Sequence, residues 1–382
     1  MSASGERWQV RTMRPIAYEV IRAPHLFAPD NTLLLEFGRR AGARRLVVLD
    51  EEVARYHGES IRTWFDRHGV AVRIVTVAAG EEQKSLDTYQ RIVRELDSFP
   101  IHRRDDPIIA IGGGVVTDIV AFVAASYRRG VPHIKIPTTL MGYIDAALGI
   151  KAGINFNGYK NRLGSFEPPL AVLLDPGFLS TLTRRQVHNG LCEIIKLAVI
   201  ADATLFGLLE ADGAASVDAH FANPAGSAIL ERAINGMLKE LAPNLFEDEL
   251  ARKVDFGHTF SCGLEMLHVQ RLLHGEAVLL DILVSVHIAE QRGLIAAAEA
   301  QRVFALVQDL EIAIDAGLLD APVMWQSLLD RIEHRNGLQR VPIPAGIGNC
   351  VFVNDITRSE LDAAATALYP RMSASHEPAL EH

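Results

Sequence analysis

The chain has 382 residues, of which 49% are hydrophobic and 22% are charged, and its formal net charge is −9. This balance is typical of a globular protein with a large buried core, and the length predicts two domains, with three as the alternative. The negative charge argues against a nonspecific nucleic-acid binder, although it leaves room for a local basic pocket. The sequence has neither an apolar run of membrane-spanning length nor a secretory signal, so we expect a cytoplasmic protein without a membrane partner.

The cysteines and the two ends of the chain are not expected to carry the function. The three cysteines, Cys192, Cys262 and Cys350, have no CxxC spacing, which argues against a disulfide framework and against a thiolate zinc site. Residues 1–15 and the tail at 372–382 are polar and irregular, and we expect both segments to be poorly ordered. We therefore look for function between them.

The first half of the chain alternates between strand and helix patterns. Apolar runs at 46–50, 72–77, 107–111 and 171–175 predict strands, and the spacing at 53–68 predicts a helix. Such alternation predicts a parallel sheet covered by helices, with ligands at the carboxyl ends of the strands. From about Thr183 the strand patterns fade and long helical patterns take over. We therefore predict an α/β domain over residues 1–178 and a mainly helical domain over residues 179–382.

The stretch at 106–164 carries the strongest functional signal. Gly112, Gly113 and Gly114 follow a predicted strand, and an alanine-rich helical segment comes after Asp118. Glycines allow a sharp turn that brings backbone N–H groups at a helix N-terminus close to a phosphate. The spacing is GGGxxxD and not GxGxxG, so the loop alone fits both a dinucleotide site and a turn without a ligand. Asp50, at another strand end, fits both a ribose ligand and a helix N-cap.

Polar side chains follow this loop at intervals among small and apolar residues. They are Arg129, Thr138, Thr139, Asp145, Lys151, Lys160, Asn161 and Arg162. Cations, hydroxyls and an amide in this distribution suit an anionic, polyhydroxylated ligand. The alternative is a set of surface lysines and a capping pair of threonines.

Several motifs together resemble a known family. GGGVVTD at 112–118, IPTTL at 136–140, Asp145, Lys151 and the KN pair at 160–161 are similar to the corresponding segments of the sugar phosphate cyclases of the dehydroquinate synthase superfamily. The resemblance extends over nearly the whole chain. It implies an α/β plus α architecture, in which a Rossmann-like parallel-sheet NAD domain precedes a mainly helical metal-binding domain. It also implies a homodimer.

The resemblance implies a set of NAD contacts. GEEQKS at 80–85 is similar to the family segment on the nicotinamide side of NAD, and the segment at 178–181 falls where the family contacts adenosine. The expected cofactor-binding residues are Asp50, Glu81, Lys84, Gly113, Gly114, Val115, Asp118, Thr138, Thr139, Lys151, Lys160, Phe178 and Thr181.

Metal ligands are expected in the second half of the chain. Glu193, His258 and His274 lie in NGLCEIIK, DFGHTF and LLHGEAV, and the family resemblance implies that they bind the metal. One carboxylate and two imidazoles with an open fourth position are the ligand set of a catalytic zinc. Sequence spacing does not show that the three meet. We expect zinc, with cobalt as the alternative, and we expect Lys196 to share a helix face with Glu193.

The family chemistry gives each remaining polar residue an expected role. NAD oxidises a hydroxyl of the sugar phosphate, phosphate leaves by β-elimination, the hydride returns, and an aldol reaction closes the ring. The expected catalytic residues are Lys151, Lys196, Asp145, Arg129, Lys160 and Asn161. The resemblance implies that Lys151, Lys160, Arg129 and Asn161 hold the phosphate, while Asp145 and Lys196 orient substrate oxygens beside the metal.

Departures from the family pattern indicate the substrate. Dehydroquinate synthases typically have KNLIG and HTFGH, whereas this chain has KNRLG and HTFSC, with Cys262 in place of a histidine. The chain resembles instead the C7-cyclitol synthases that act on sedoheptulose 7-phosphate, and the expected product is 2-epi-5-epi-valiolone. Ala152 stands where a threonine is expected, so 2-epi-valiolone and desmethyl-4-deoxygadusol stay open as products. The further alternatives are a 3-dehydroquinate synthase, a metal-dependent polyol dehydrogenase and a non-catalytic binder.

Overall fold

A six-stranded parallel sheet forms the first half of the molecule in this computed structural model, which describes residues 7–38 and 44–373. In chain order, the elements of this half are β1 (Glu19–Arg22), β2 (Arg45–Asp50), α1 (Glu51–Arg67), β3 (Val72–Val77), α2 (Leu86–Ser98), β4 (Ile108–Gly112), α3 (Gly114–Ser126), β5 (His133–Pro137), β6 (Lys151–Phe156), β7 (Tyr159–Phe166) and β8 (Ala171–Leu174). Strands β6 and β7 form a separate antiparallel hairpin.

The inner strands are apolar because both faces of the sheet are covered. Leu46 and Val48 of β2 pack into a core cluster with α2 and α3, whereas Val47 and Leu49 pack into a second cluster with α1. Neighbouring residues of a strand point to opposite faces, so a strand buried on both sides has a continuous apolar run.

The order of the strands fixes the position of a ligand crevice. The sheet runs β1-β8-β5-β4-β2-β3, so the chain leaves β2 in one direction along the sheet and continues from β4 in the other. In open α/β sheets, ligands bind outside the carboxyl ends of the strands at such a point. Here those ends are Asp50 and Gly112, which touch: a Cβ on Gly112 would lie 3.1 Å from Cβ of Asp50.

The second half of the chain is mainly helical. Its elements are α4 (Arg184–Ala201), α5 (Ala203–Asp218), α6 (Pro224–Leu241), α7 (Ser261–Leu267), α8 (His274–Gln291), α9 (Ala297–Asp309), α10 (Ala321–His334), β9 (Val341–Pro344), β10 (Cys350–Val353) and α11 (Arg358–Ser373). Helices α4 and α8 pack against each other and are buried along most of their lengths. A helix that is buried on all sides forms the centre of a hydrophobic core.

The predicted architecture is confirmed, and the differences concern short elements. The strands predicted at 46–50, 72–77, 107–111 and 171–175 and the helix at 53–68 each match an observed element within a few residues. The sequence interpretation missed β1, β5, the β6–β7 hairpin and the β9–β10 hairpin. Helix α11 includes residues 372 and 373, which we had assigned to an irregular tail, whereas residues 1–6 and 374–382 lie outside the described residues.

Across the described ranges, no helix combines the length and the apolar character needed to cross a membrane.

Candidate active site

The N-terminus of α3 is open to an anion. Helices α1, α2 and α4 are each capped by a side chain, of Asp50, Ser85 and Thr183, but no described side chain caps α3. Its first backbone N–H groups therefore keep their hydrogen-bonding capacity, and the helix dipole adds a positive end. A Cβ on Gly113 would lie 3.1 Å from Cγ2 of Thr139, so a side chain there would crowd Thr139. This cradle fits the pyrophosphate of a dinucleotide.

Asp50 lies beside this cradle and caps a helix. Its Oδ1 accepts the backbone N–H groups of Glu52 and Val53 at 2.9 and 3.3 Å. Burial raises the pKa of Asp50 despite these two hydrogen bonds. Of the two readings that the sequence left open, the N-cap is therefore observed. The ribose contact stays a prediction and is compatible with the cap, which uses one carboxylate oxygen.

The predicted nicotinamide-side segment is tied to its neighbours by polar contacts. Lys84 is buried, and its Nζ lies 2.6 Å from Oδ2 of Asp118 on α3. Asn155 of β6 donates to Oε1 of Glu81 at 2.9 Å, and its backbone N–H donates to the carbonyl of Lys84 at 2.8 Å. Asn155 was missed by the sequence analysis, although a polar residue within an apolar strand was a visible signal.

Three candidate metal ligands converge between α4, the segment before α7, and α8. One ligand atom from each of Glu193, His258 and His274 lies within 4.8 Å of the other two. Nε2 of His258 and Nε2 of His274 lie 3.7 and 3.8 Å from Oε1 of Glu193. These three residues come from distant parts of the sequence, and the fold brings them together.

The hydrogen bonds of both imidazoles leave the correct atoms free for a metal. Nδ1 of His258 lies 3.1 Å from the carbonyl of Phe256, and Nδ1 of His274 lies 3.3 Å from Oε2 of Glu265. A ring nitrogen that faces an oxygen donates its proton, so Nε2 of each ring keeps a lone pair. Oε1 of Glu193 is buried and accepts no hydrogen bond from the described residues. This donor set fits a divalent metal such as zinc.

A buried lysine balances the charge of Glu193. Lys196 is one helical turn further along α4, and its Nζ forms an ion pair with Oε2 of Glu193. Burial raises the pKa of Glu193, and the Lys196 charge opposes that shift. Burial lowers the pKa of Lys196, but the carboxylates of Glu193 and Asp145 outweigh it and raise the value. Asp145, in a short π-helical turn, therefore lies close to this group.

Two lysines of the β6–β7 hairpin, Lys151 at its open end and Lys160 beside its turn, are each paired with a glutamate. Nζ of Lys151 lies 2.5 Å from Oε1 of Glu247, and Nζ of Lys160 lies 2.5 Å from Oε1 of Glu265. Solvent reaches the Lys151 side chain, yet the surrounding protein displaces enough water to lower its pKa to about 8, with Arg252 adding to the effect. Asn161 follows Lys160 in a left-handed conformation, with its backbone N–H bonded to Oδ1 of Asn155 at 2.9 Å.

Some predicted residues lie elsewhere. Arg129 precedes β5 and is exposed at the amino edge of the sheet, so one chain does not bring it to the glycine loop at the carboxyl edge. Phe178 is buried against the rings of Phe27 and His57, and Thr181 is exposed with its hydroxyl on the carbonyl of Phe178. Their assigned contacts with substrate or adenosine stay predictions.

Ala152 lies on the core side of its strand. It points to the same face of β6 as Ile154, which packs in the core cluster beneath α3, while Lys151 points to the other face. The alternation of the strand therefore turns Ala152 away from Lys151, and the effect of this residue on the product stays a prediction.

Arg331 of α10 and Cys262 of α7 form a contact that sequence reasoning missed. Nη2 of Arg331 lies 3.2 Å from Sγ of Cys262. Burial is the main cause of the lowered pKa of Lys151 and of His258. The charge of Arg331 makes a smaller contribution to both shifts. The guanidinium therefore lies near His258 and Lys151. No spacing in the sequence links residue 331 to this site.

Comparison with known proteins gives the family. The profile described as 3-dehydroquinate synthase N-terminal matches residues 74–189, and the C-terminal profile matches residues 190–334. A 2-epi-5-epi-valiolone synthase of Streptomyces albus is 48% identical over 94% of this chain and 90% of its own.

Solved structures agree with this grouping. ValA, a 2-epi-5-epi-valiolone synthase of Streptomyces hygroscopicus subsp. jinggangensis 5008 solved with NAD⁺ and Zn²⁺, is 42% identical, with a TM-score of 0.91 over 95% of this chain and 100% of its own. A 2-deoxy-scyllo-inosose synthase, at 20% identity and a TM-score of 0.75 over 91% of this chain and 96% of its own, shares the fold. The chain therefore belongs to the 3-dehydroquinate synthase family and is a sugar phosphate cyclase.

Proposed function

We propose that this protein converts sedoheptulose 7-phosphate to 2-epi-5-epi-valiolone and releases phosphate, with NAD and a divalent metal as cofactors. The observation that carries the proposal is that contacts of the β6–β7 hairpin link three groups. They are the uncapped N-terminus of α3, the cluster of Glu193, His258 and His274, and the hairpin lysines Lys151 and Lys160. The names of the relatives at 48% and 42% identity support the substrate and the product.

Both cofactors have residues that would hold them. The N–H groups of Gly114 and Val115 would hold the NAD pyrophosphate, and the Glu193, His258 and His274 atoms would bind zinc, with cobalt as the alternative. When bound, NAD supplies a hydride acceptor that is regenerated in each turnover, and the metal supplies Lewis-acid polarisation of a substrate oxygen.

The hairpin lysines would bind the substrate phosphate and stabilise its departure. Lys151 and Lys160 carry ammonium groups on adjacent strands of one hairpin, which suits a dianion that gains charge on leaving. Each lysine would exchange its glutamate partner for the phosphate, since a carboxylate at 2.5 Å occupies the position of an anionic ligand. Asn161, beside Lys160, would donate to the same phosphate.

Asp145 and Lys196 would orient the hydroxyl groups of the sugar. The Asp145 carboxylate influences the pKa of Glu193, Lys196 and His274, which supports a position beside the metal ligands. No hydrogen bond from a described residue to this carboxylate is seen, so it can accept one from a substrate hydroxyl. Lys196 already neutralises one oxygen of Glu193 and has further N–H donors for a substrate oxygen.

A substrate panel tests this function. Purified protein with catalytic NAD⁺ and Zn²⁺ is offered sedoheptulose 7-phosphate, 3-deoxy-arabino-heptulosonate 7-phosphate or glycerol, and phosphate release and NADH are recorded. We expect phosphate release with sedoheptulose 7-phosphate and no accumulation of NADH. Turnover of the heptulosonate alone would indicate a 3-dehydroquinate synthase, and NADH formed in proportion to glycerol would indicate a polyol dehydrogenase.

We further propose a homodimer, as the family resemblance implies, and the cytoplasm as the expected location. Light scattering coupled to gel filtration would give twice the chain mass of 41.9 kDa for the dimer. A mass of one chain would contradict it.

A further inference from the structure

Glu265 on α7 connects the candidate metal ligands to the β6–β7 hairpin. Its Oε1 lies 2.5 Å from Nζ of Lys160, and its Oε2 lies 3.3 Å from Nδ1 of His274. The Glu265 side chain is 10% exposed, so its carboxylate is largely shielded from water. Because one oxygen contacts Lys160 and the other contacts His274, this single carboxylate links the expected phosphate site to the expected metal site.

The fold holds Glu265 firmly in this place. The start of α7 is anchored by Asp281 of α8, whose Oδ2 accepts the backbone N–H groups of Phe260 and Ser261 at 2.5 and 3.0 Å. Glu265 follows one turn later on the same helix. Since α8 itself begins with His274, the helix that anchors Glu265 also carries its imidazole partner.

The charge state of Glu265 agrees with this bridging position. Burial raises the pKa of the carboxyl group, but the hydrogen bond and charge of His274 and the charge of Lys160 outweigh burial and lower it to about 2. An imidazole whose Nδ1–H is held by a carboxylate is a more basic and better oriented metal ligand.

We propose that Glu265 is a positioning residue with two tasks: it fixes His274 with Nε2 towards the metal, and it holds Lys160 until a phosphate replaces it. The second task rests on the proposed function, whereas the first concerns metal binding alone. When phosphate takes Lys160, Oε2 of Glu265 stays on His274, so the metal ligand keeps its orientation through the exchange.

A second glutamate shows what is special about Glu265. Glu247 pairs with Lys151 at 2.5 Å in the same way, but its other cation partner is Arg252, and its ion pairs within the described part of the chain include no candidate metal ligand. Both hairpin lysines are therefore paired with a glutamate. Of the two glutamates, Glu265 is the one that also contacts an imidazole.

Two substitutions separate the tasks. In Glu265→Gln, the amide oxygen can still accept the Nδ1–H of His274, but the side chain no longer neutralises Lys160. In Glu265→Ala, both contacts are lost. We expect Glu265→Ala to bind zinc 10- to 100-fold more weakly, on the order seen for partners of metal-binding histidines. We expect Glu265→Gln to stay within about threefold of the parent affinity, since it keeps the acceptor.

Zinc affinity is measured by competition with a chelator, and Co²⁺ absorption spectra report the geometry of the ligands. Glu240→Ala is the matched control, because Glu240 pairs with Lys253 at 3.2 Å outside the cleft and should leave zinc affinity unchanged. Thermal unfolding of each variant shows whether it is folded. Equal zinc affinity in Glu265→Ala and the parent protein, or an equal loss in the alanine and glutamine variants, would overturn the first task.

Inorganic phosphate tests the second task on the zinc-loaded protein. Calorimetry should show that Glu265→Gln binds phosphate at least about fivefold more tightly than the parent protein, because a charge-assisted competitor for Lys160 has been removed. Unchanged or weaker phosphate binding in this variant would overturn that task. Neither measurement uses turnover, so a failure of the proposed reaction on sedoheptulose 7-phosphate would be recognised separately.

Discussion

The chemistry of single residues in this protein depends on how buried charges are shared. Glu193 is buried with Lys196 on one oxygen, which leaves the other oxygen to face two imidazoles. A buried carboxylate is costly unless it is paired, and here one partner is a lysine while the second position suits a metal. The arrangement therefore favours a metal in the position that the two Nε2 atoms also face.

Removal of His274 should abolish metal binding and turnover together. In His274→Ala only Glu193 and His258 remain of the three converging ligands, and two ligands hold a catalytic zinc poorly. Metal content measured after gel filtration should fall from about one zinc per chain to nearly none. His334→Ala, which changes an exposed histidine of α10, is the control. Retention of about one zinc per chain in His274→Ala would contradict the assignment.

Lys160→Ala should impair turnover of the phosphorylated substrate far more than the loss of a surface lysine. We expect a cost of about 2–5 kcal/mol in kcat/KM, because the cation would be desolvated against the leaving phosphate. Lys239→Ala, which changes an exposed lysine of α6, should have little effect. A loss of less than about tenfold for Lys160→Ala would remove this residue from the phosphate site.

Lys151 should give the reaction an alkaline limit. Although solvent reaches this side chain, the surrounding protein and Arg252 lower its pKa to about 8, so the ammonium form that binds phosphate is lost as the pH rises through 8. KM for the sugar phosphate, measured between pH 7 and 9.5, should therefore increase above pH 8. In Lys151→Arg the guanidinium stays charged, so that increase should be absent. A KM that rises equally in both proteins would assign the limit to another group.

At the scale of elements, α7 depends on a side chain from α8. Asp281 is fully buried and accepts the backbone N–H groups of Phe260 and Ser261. Burial raises its pKa to about 6, while those N–H groups oppose the shift. Loss of this acceptor would leave two buried donors unpaired at the start of the helix that carries Glu265.

Asp281→Ala should therefore destabilise the protein by about 2–4 kcal/mol, since each unsatisfied buried donor costs about 1–3 kcal/mol. Urea unfolding at pH 8 gives the free energy, and Asp362→Ala on the exposed face of α11 is the control. Zinc affinity should fall as well, because Glu265 loses its anchor. A change below about 1 kcal/mol would mean that the segment at 259–261 does not need the carboxylate.

The elements could be predicted from the sequence to an unequal degree. Strands β2, β3, β4 and β8 and helix α1 follow from apolar runs and helical spacing, and those predictions are confirmed, whereas the inner strand β5 was missed. The β6–β7 hairpin had a signal that was overlooked: Asn157-Gly158 has left-handed φ angles of 50° and 77°, as a two-residue hairpin turn requires. Its polar residues were interpreted as ligand contacts or as surface lysines, and no strand was assigned to them.

In the candidate site, contacts within one helix could be predicted from the sequence, but contacts between distant segments could not. Glu193 and Lys196 share a helix face, which their spacing of three predicts. Glu265 and Lys160 are 105 positions apart, and Arg331 and Cys262 are 69 apart, so only tertiary packing brings each pair together. Residues that are adjacent in the sequence can also be separated by the fold. Ala152 follows Lys151, but the alternation of the strand turns Ala152 towards the core and Lys151 away from it.

At the scale of the whole molecule, the cleft combines two kinds of structure. The parallel sheet supplies an uncapped helix N-terminus at its topological switch point, and the helical half supplies the converging carboxylate and imidazoles. The β6–β7 hairpin connects the two, since Asn155 contacts the segment after β3 and Lys160 contacts α7. A reaction that removes a hydride, expels phosphate and returns the hydride needs these three parts close together.

The most direct test of this account is the product itself. Purified protein is incubated with catalytic NAD⁺, Zn²⁺ and sedoheptulose 7-phosphate, and phosphorus and proton NMR follow the mixture to completion. We predict one inorganic phosphate for each 2-epi-5-epi-valiolone formed, with no net NADH. An intact sugar phosphate, a cyclitol of different stereochemistry, or NADH that accumulates with the product would contradict the account.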